Sequence, residues 1–104
     1  MQLALGKTPE FDKWLKGLDS KDQALVETRL ESFEEGHFPR DDKSAGGKVM
    51  ETRFMGRGLR VYYTRIKVQD VDIILLCGGG KGNKKVQQRD IKKAKSLRKK
   101  YEKE

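Results

Sequence analysis

The chain has 104 residues, of which 38% are charged and 35% hydrophobic, and carries a formal net charge of +8. That length supports one modest core, so residues 1–104 are read as a single domain whose site must lie on the surface of that core. The lone Cys77 excludes an internal disulfide, and the lack of a basic-then-apolar N-terminus or of a run of roughly 20 apolar residues predicts a cytoplasmic protein with no membrane partner.

In chain order, Gln2 to Leu5 is expected to form a short strand. Thr8-Pro9-Glu10 then reads as a helix start, with Thr8 as N-cap and Pro9 at the first helical position. Phe11, Trp14, Leu15 and Leu18 follow at helical spacing. Ser20 is the N-cap candidate of a second helix, with Val26, Leu30 and Phe33 on one face and an end near Gly36. The two helices make a hairpin.

From His37 to Lys48, residues Pro39, Asp41, Asp42, Ser44, Gly46 and Gly47 predict a loop. Three strands follow, Lys48 to Phe54, Leu59 to Lys67 and Val71 to Cys77, joined by Met55-Gly56-Arg57-Gly58 and by Val68-Gln69-Asp70. Ile73 to Leu76 are apolar on both faces, as in the middle of a covered sheet. After the glycine-rich loop Gly78 to Asn83, a basic helix from about Lys85 carries the narrow apolar stripe Ile91, Ala94, Leu97 and Tyr101. The order is β-α-α-β-β-β-α: one α+β domain, an antiparallel sheet flanked by an N-terminal helical hairpin and a basic C-terminal helix.

The charge is unevenly placed. Residues 1–80 hold 13 Lys and Arg against 13 Asp and Glu, whereas residues 81–104 hold 11 against 3. The whole excess lies in the C-terminal segment, where lysines presented outward suit nucleic-acid phosphates.

A four-residue connection between the first two strands of the hairpin places Arg53 opposite Arg60, and Glu51 opposite Tyr62 on the same face. Two like charges in that position cost stability unless a phosphate or a carboxylate such as Glu51 lies between them. Lys81, Lys84 and Lys85 follow the glycine run, where the start of the last helix can assist in holding phosphate. Gly-Gly-Gly-Lys-Gly-Asn-Lys does not fit the GxxxxGK[ST] spacing, which rejects nucleotide hydrolysis, and no Cys/His cluster suggests zinc or any other cofactor. Cys77 reads as a packed thiol, and His37 as a residue of a helix end. Phe11, Trp14 and Phe33 read as core, whereas Tyr62 and Tyr63 point to opposite faces, leaving one able to stack on a base.

Five words of the sequence, Thr8-Pro9-Glu10-Phe11, Glu51-Thr52-Arg53, Leu59-Arg60-Val61-Tyr62-Tyr63, Leu76-Cys77-Gly78-Gly79 and Gln87-Gln88-Arg89-Asp90-Ile91, in this element order, resemble the RelE/ParE superfamily of type II toxins. The nearest likeness is to the HigB-like, phage-derived addiction module killer proteins. The resemblance implies a metal-independent endoribonuclease that cleaves mRNA, commonly on the translating ribosome, and inhibits translation. It also implies a cognate antitoxin, of helix-turn-helix type, as inhibitor. The ParE branch poisons gyrase, so a non-catalytic toxin or a binding module of the same fold is the alternative. A double-stranded-RNA module fits the charge but not the element order.

RNA cleavage of this kind needs the 2′-OH activated, a phosphorane stabilised and the 5′-oxygen protonated, and fixed cations serve the second need most directly. Arg53, Arg60 and Lys84 are the candidates for it, with Lys81 or Lys84 and Tyr62 as candidates for proton transfer. Asp90 reads either as a further catalytic residue or as a helix-start carboxylate favoured by the dipole. Asp90 stands in the family's Gln-x-x-Asp-Ile word, with Gln87 at the glutamine position. The loop before it is longer than usual for the family, which leaves both Lys81 and Lys84 open for the lysine position. Lys85, Gln87, Arg89, Arg57 and Lys48 are the further RNA-binding candidates.

Overall fold

A computed structural model describes residues 2–54, 56–80 and 82–102. Its elements are β1 (Leu5–Lys7), α1 (Pro9–Lys16), α2 (Ser20–Glu34), β2 (Lys43–Gly46), β3 (Val49–Phe54), β4 (Leu59–Thr64), β5 (Ile73–Gly79) and α3 (Lys84–Glu102). The five strands form one sheet in the order β1-β5-β4-β3-β2.

The expected helix start at Thr8 forms. Its hydroxyl oxygen accepts from the Phe11 N–H at 3.0 Å and donates to the Leu76 carbonyl at 2.5 Å, so one side chain caps α1 and fastens it to β5. The second cap falls on Asp19, one residue before Ser20, because a carboxylate there accepts from the Asp22 N–H at 2.8 Å. At the far end Gly36 takes φ +83°, and the His37 N–H returns to the Ser32 carbonyl at 2.9 Å, closing α2 where expected.

The first strand lies later than Gln2 to Leu5. Ala4 is already bound to the 65–72 connection, accepting from the Asp72 N–H at 2.9 Å, and pairing with β5 begins at Leu5↔Ile73. β1 runs parallel to β5, whereas the other neighbours are antiparallel, which makes the sheet mixed. β2 falls inside the expected loop. It is an exposed edge strand with no apolar alternation, bulged between Ser44 and Gly46, where Gly46 has φ +92°, and so lacks the period-2 signal.

Both faces of the sheet are covered. On one, α1 and α2 bury Phe11, Leu15, Val26, Leu30 and Phe33 against Val61, Tyr63, Ile73 and Leu75. On the other, α3 brings Ala94 and Leu97 against Val49, Tyr62, Ile74 and Leu76. That explains the unbroken apolar run of β5. Arg98, 7% exposed, donates to Thr64 Oγ1 at 2.9 Å and pairs with Glu102, pinning the C-terminal half of α3. Among the described residues no helix is long and apolar enough to cross a membrane.

Candidate functional site

The hairpin register is the one the four-residue connection implies: Arg53 faces Arg60 and Glu51 faces Tyr62. All four side chains therefore share the α3 face of the sheet. Glu51 is 1% exposed, forms an ion pair with Arg60 Nε at 3.1 Å and accepts a hydrogen bond from Gln87 Nε2 at 3.3 Å, with Lys43 Nζ at 3.8 Å. A buried carboxylate is thus the partner of Arg60. The Arg53 Nε is buried without a hydrogen-bond partner among the described residues. Beside both arginines the hairpin encloses a hollow of about 330 Å³, lined also by Gly56, Arg57 and Gly58.

α3 lies along one side of this group. Gln87 reaches Glu51, and the Asp90 carboxylate lies over Gly79, the residue paired with Arg60 across β4 and β5. A methyl group at Gly79 would collide with that carboxylate, so glycine is required for the approach. Burial raises the Asp90 pKa, against the lowering effects of Lys93, Arg89 and Arg60. Tyr62 is fully buried beneath the group, its hydroxyl without a partner among the described residues, and burial together with Glu51 and Asp90 pushes its pKa up.

The structure therefore brings Arg53, Arg60, Tyr62, Gln87 and Asp90 together. Lys84 opens α3, exposed, one turn before Gln87 on the same side of the helix. Lys85 and Arg89 are exposed further round α3, and Lys81 lies outside the described residues. The start of α3 is capped from within, since Asn83 Oδ1 accepts from the Val86 N–H at 3.0 Å. Two candidates do not join this group, although Arg57 lines the hollow beside it. Arg57 turns to α2, donating to Asp22 Oδ1 from Nε at 2.7 Å and pairing with it through Nη2 at 2.6 Å. Lys48, with φ +64°, sits in the β2–β3 turn, five residues and roughly 17 Å along the strand from Arg53.

Lys43 is not marked in the sequence as a site residue because β2 carries no period-2 signal, and Glu51 is marked there only as a bridge between the arginines. The strict alternation Glu51, Arg53 on β3 and Arg60, Tyr62 on β4 was the available signal. Well exposed and far from the cluster in the chain, His37 lies 3.7 Å from the neighbouring Glu35.

A covered five-stranded sheet with a cationic group at the β3–β4 hairpin defines a RelE-type toxin fold, and comparisons with known proteins agree. The chain belongs to the family of phage-derived Gp49-like proteins (DUF891), a RelE/HigB-type toxin family whose model matches residues 13–99. The isolated RelE toxin of E. coli superposes with a TM-score of 0.67 at 18% identity, covering 86% of this chain and 96% of that one. A mutant of E. coli RelE in the free state gives 0.68 at 19% identity, covering 88% and 97%. RelE of the intact E. coli RelBE toxin-antitoxin complex gives 0.62 at 17% identity, covering 79% and 99%. No curated protein matches the sequence.

Proposed function

We propose that the protein is the toxin of a type II toxin-antitoxin pair and an endoribonuclease that cleaves mRNA, on the translating ribosome, without a metal. The observation that carries this reading is the pairing of two arginines on adjacent strands with a half-buried carboxyl over the opposing glycine. Arg53 and Arg60 bind the scissile phosphate in the hollow between them and stabilise the charge that gathers on the phosphorane. Glu51 is too deeply buried to touch RNA. It orients Arg60, and Gln87 holds Glu51 in turn.

In the reaction the 2′-hydroxyl gives its proton to water as its oxygen forms a bond to phosphorus, the bond from phosphorus to the 5′-oxygen breaks as that oxygen takes a proton, and the products are a 2′,3′-cyclic phosphate and a 5′-hydroxyl. Asp90 suits the donor to the 5′-oxygen, because burial raises its pKa, which shifts it toward the proton-carrying form, and its carboxyl lies over Gly79, the residue paired with Arg60. Tyr62, fully buried with its pKa raised, keeps its proton and floors the site. Lys84 and Lys81 are the remaining candidates for proton transfer and phosphate contact. Lys85 and Arg89 extend the cationic surface along the RNA, and Arg57 and Lys48 contribute at its margins. The partner is an antitoxin, since RelE is known in complex with RelB, and helix-turn-helix is the type the family resemblance implies.

The test is induced expression in a bacterial host with mapping of transcript 5′ ends, comparing this chain with its Arg53→Ala/Arg60→Ala form. New codon-phased ends that need both arginines are expected. Growth arrest with intact transcripts would overturn the reading in favour of a non-catalytic, ParE-like toxin.

A further inference from the structure

Trp14, the only tryptophan of the chain, is half-buried, unlike Phe11 and Phe33, which are fully buried. It opens on a groove of about 560 Å³ whose walls include Glu10 and Lys13 of α1 and Lys93 of α3, with Cys77 and Gly78 of β5 as floor. The neighbouring strand β1 is short. It pairs with β5 only over Ile73–Leu75, and among the described residues no strand covers that edge beyond Leu75.

A methyl group at Gly78 would run into the indole, so the missing side chain is what lets the ring lie against the strand. Gly79, the next residue, faces the opposite way, toward Asp90. Consecutive Cα atoms are about 3.8 Å apart, so the groove and the arginine cluster are the two sides of one strand end. Lys93, one turn beyond Asp90 on α3, lines the groove and acts electrostatically on Asp90.

We propose that this groove is a nucleobase subsite: a base of single-stranded RNA next to the cleaved phosphate stacks on Trp14, with Lys13 and Lys93 on the flanking phosphates. An aromatic face between two exposed cations is the combination that holds single strands with little sequence preference. Glu10 adds a preference. Its carboxylate repels phosphate and accepts from exocyclic amino groups, which favours a base that carries one over uracil. The inference rests on the endoribonuclease reading and extends it.

The single tryptophan is its own reporter. The purified full chain is titrated with a 2′-O-methyl oligoribonucleotide, which it cannot cleave, while Trp14 emission and the anisotropy of a distant label on the oligonucleotide are followed together. Binding is expected to quench the emission. In a series that walks an abasic nucleotide along the strand, one position should restore the emission and weaken binding about tenfold. A Lys13→Gln/Lys93→Gln variant should bind more weakly, with its circular dichroism unchanged. Binding with unaltered emission would overturn the subsite and leave the endoribonuclease reading intact. No binding, together with no RNA cleavage in cells, would overturn both.

Discussion

Glu51 and Arg60 meet at 3.1 Å, diagonally across the β3–β4 ladder, with Glu51 only 1% exposed and the Arg60 side chain 24% exposed. Such a pair is worth little as a pair but much as a constraint, because removing one partner leaves the other's charge buried. Arg60→Ala should therefore cost about 3 kcal/mol in urea denaturation, the low end of the usual range because Gln87 and Lys43 remain. Replacing both partners, as Arg60→Met/Glu51→Leu, should recover most of that loss. If the single and double variants are equally unstable, the pair is not the constraint described.

Asp90 gives a pH signature. Its folded-state pKa is raised by burial above the ordinary value of 3.8, so the native state binds the proton more tightly than the unfolded chain. The resulting penalty is absent below the ordinary value and fully present above the raised one. Asp90→Asn should thus raise the melting temperature near neutral pH, with the gain vanishing as pH falls through that window, while RNA cleavage is lost. A gain in stability at the expense of activity is what a functional carboxyl held in an unfavourable place produces. A variant no more stable at neutral pH would contradict the burial argument.

Much of this was legible in the sequence because the signals were local. Thr8-Pro9 marked a helix start, and the four residues between two apolar runs fixed the register that set Arg53 against Arg60. What escaped notice depended on distant partners. β2 has no apolar alternation and exists by pairing with β3, and β1 is placed by the grip of Asp72 on Ala4. Residue identity alone could not reveal that Arg57 would be drawn to α2, nor that two consecutive glycines would admit Trp14 on one side and Asp90 on the other.

Arg57 is 40% exposed in its pairing with Asp22. Arg57→Ala should therefore cost less than about 1 kcal/mol of stability, and RNA affinity should fall less than for Arg53→Ala. Equal losses of affinity would show that Arg57 leaves Asp22 to meet the RNA.

Cys77 is 2% exposed, and burial pushes its pKa up to about 12. At neutral pH it should resist iodoacetamide in the native protein and react only as fast as the fold opens. Mass spectrometry across a denaturant series checks this. Rapid labelling without denaturant would contradict the packing at the floor of the Trp14 groove.

The central claim is RNA cleavage by attack of the 2′-oxygen between two arginines. Its most direct measurement is cleavage of a defined mRNA by the purified protein on translating ribosomes, with and without a single 2′-deoxy nucleotide at the cleaved position. The expected result is a 2′,3′-cyclic phosphate and a 5′-hydroxyl from the natural mRNA, and no cut at that position in the 2′-deoxy form or with Arg53→Ala/Arg60→Ala. A cut at the 2′-deoxy nucleotide, or one that leaves a 5′-phosphate, would contradict it.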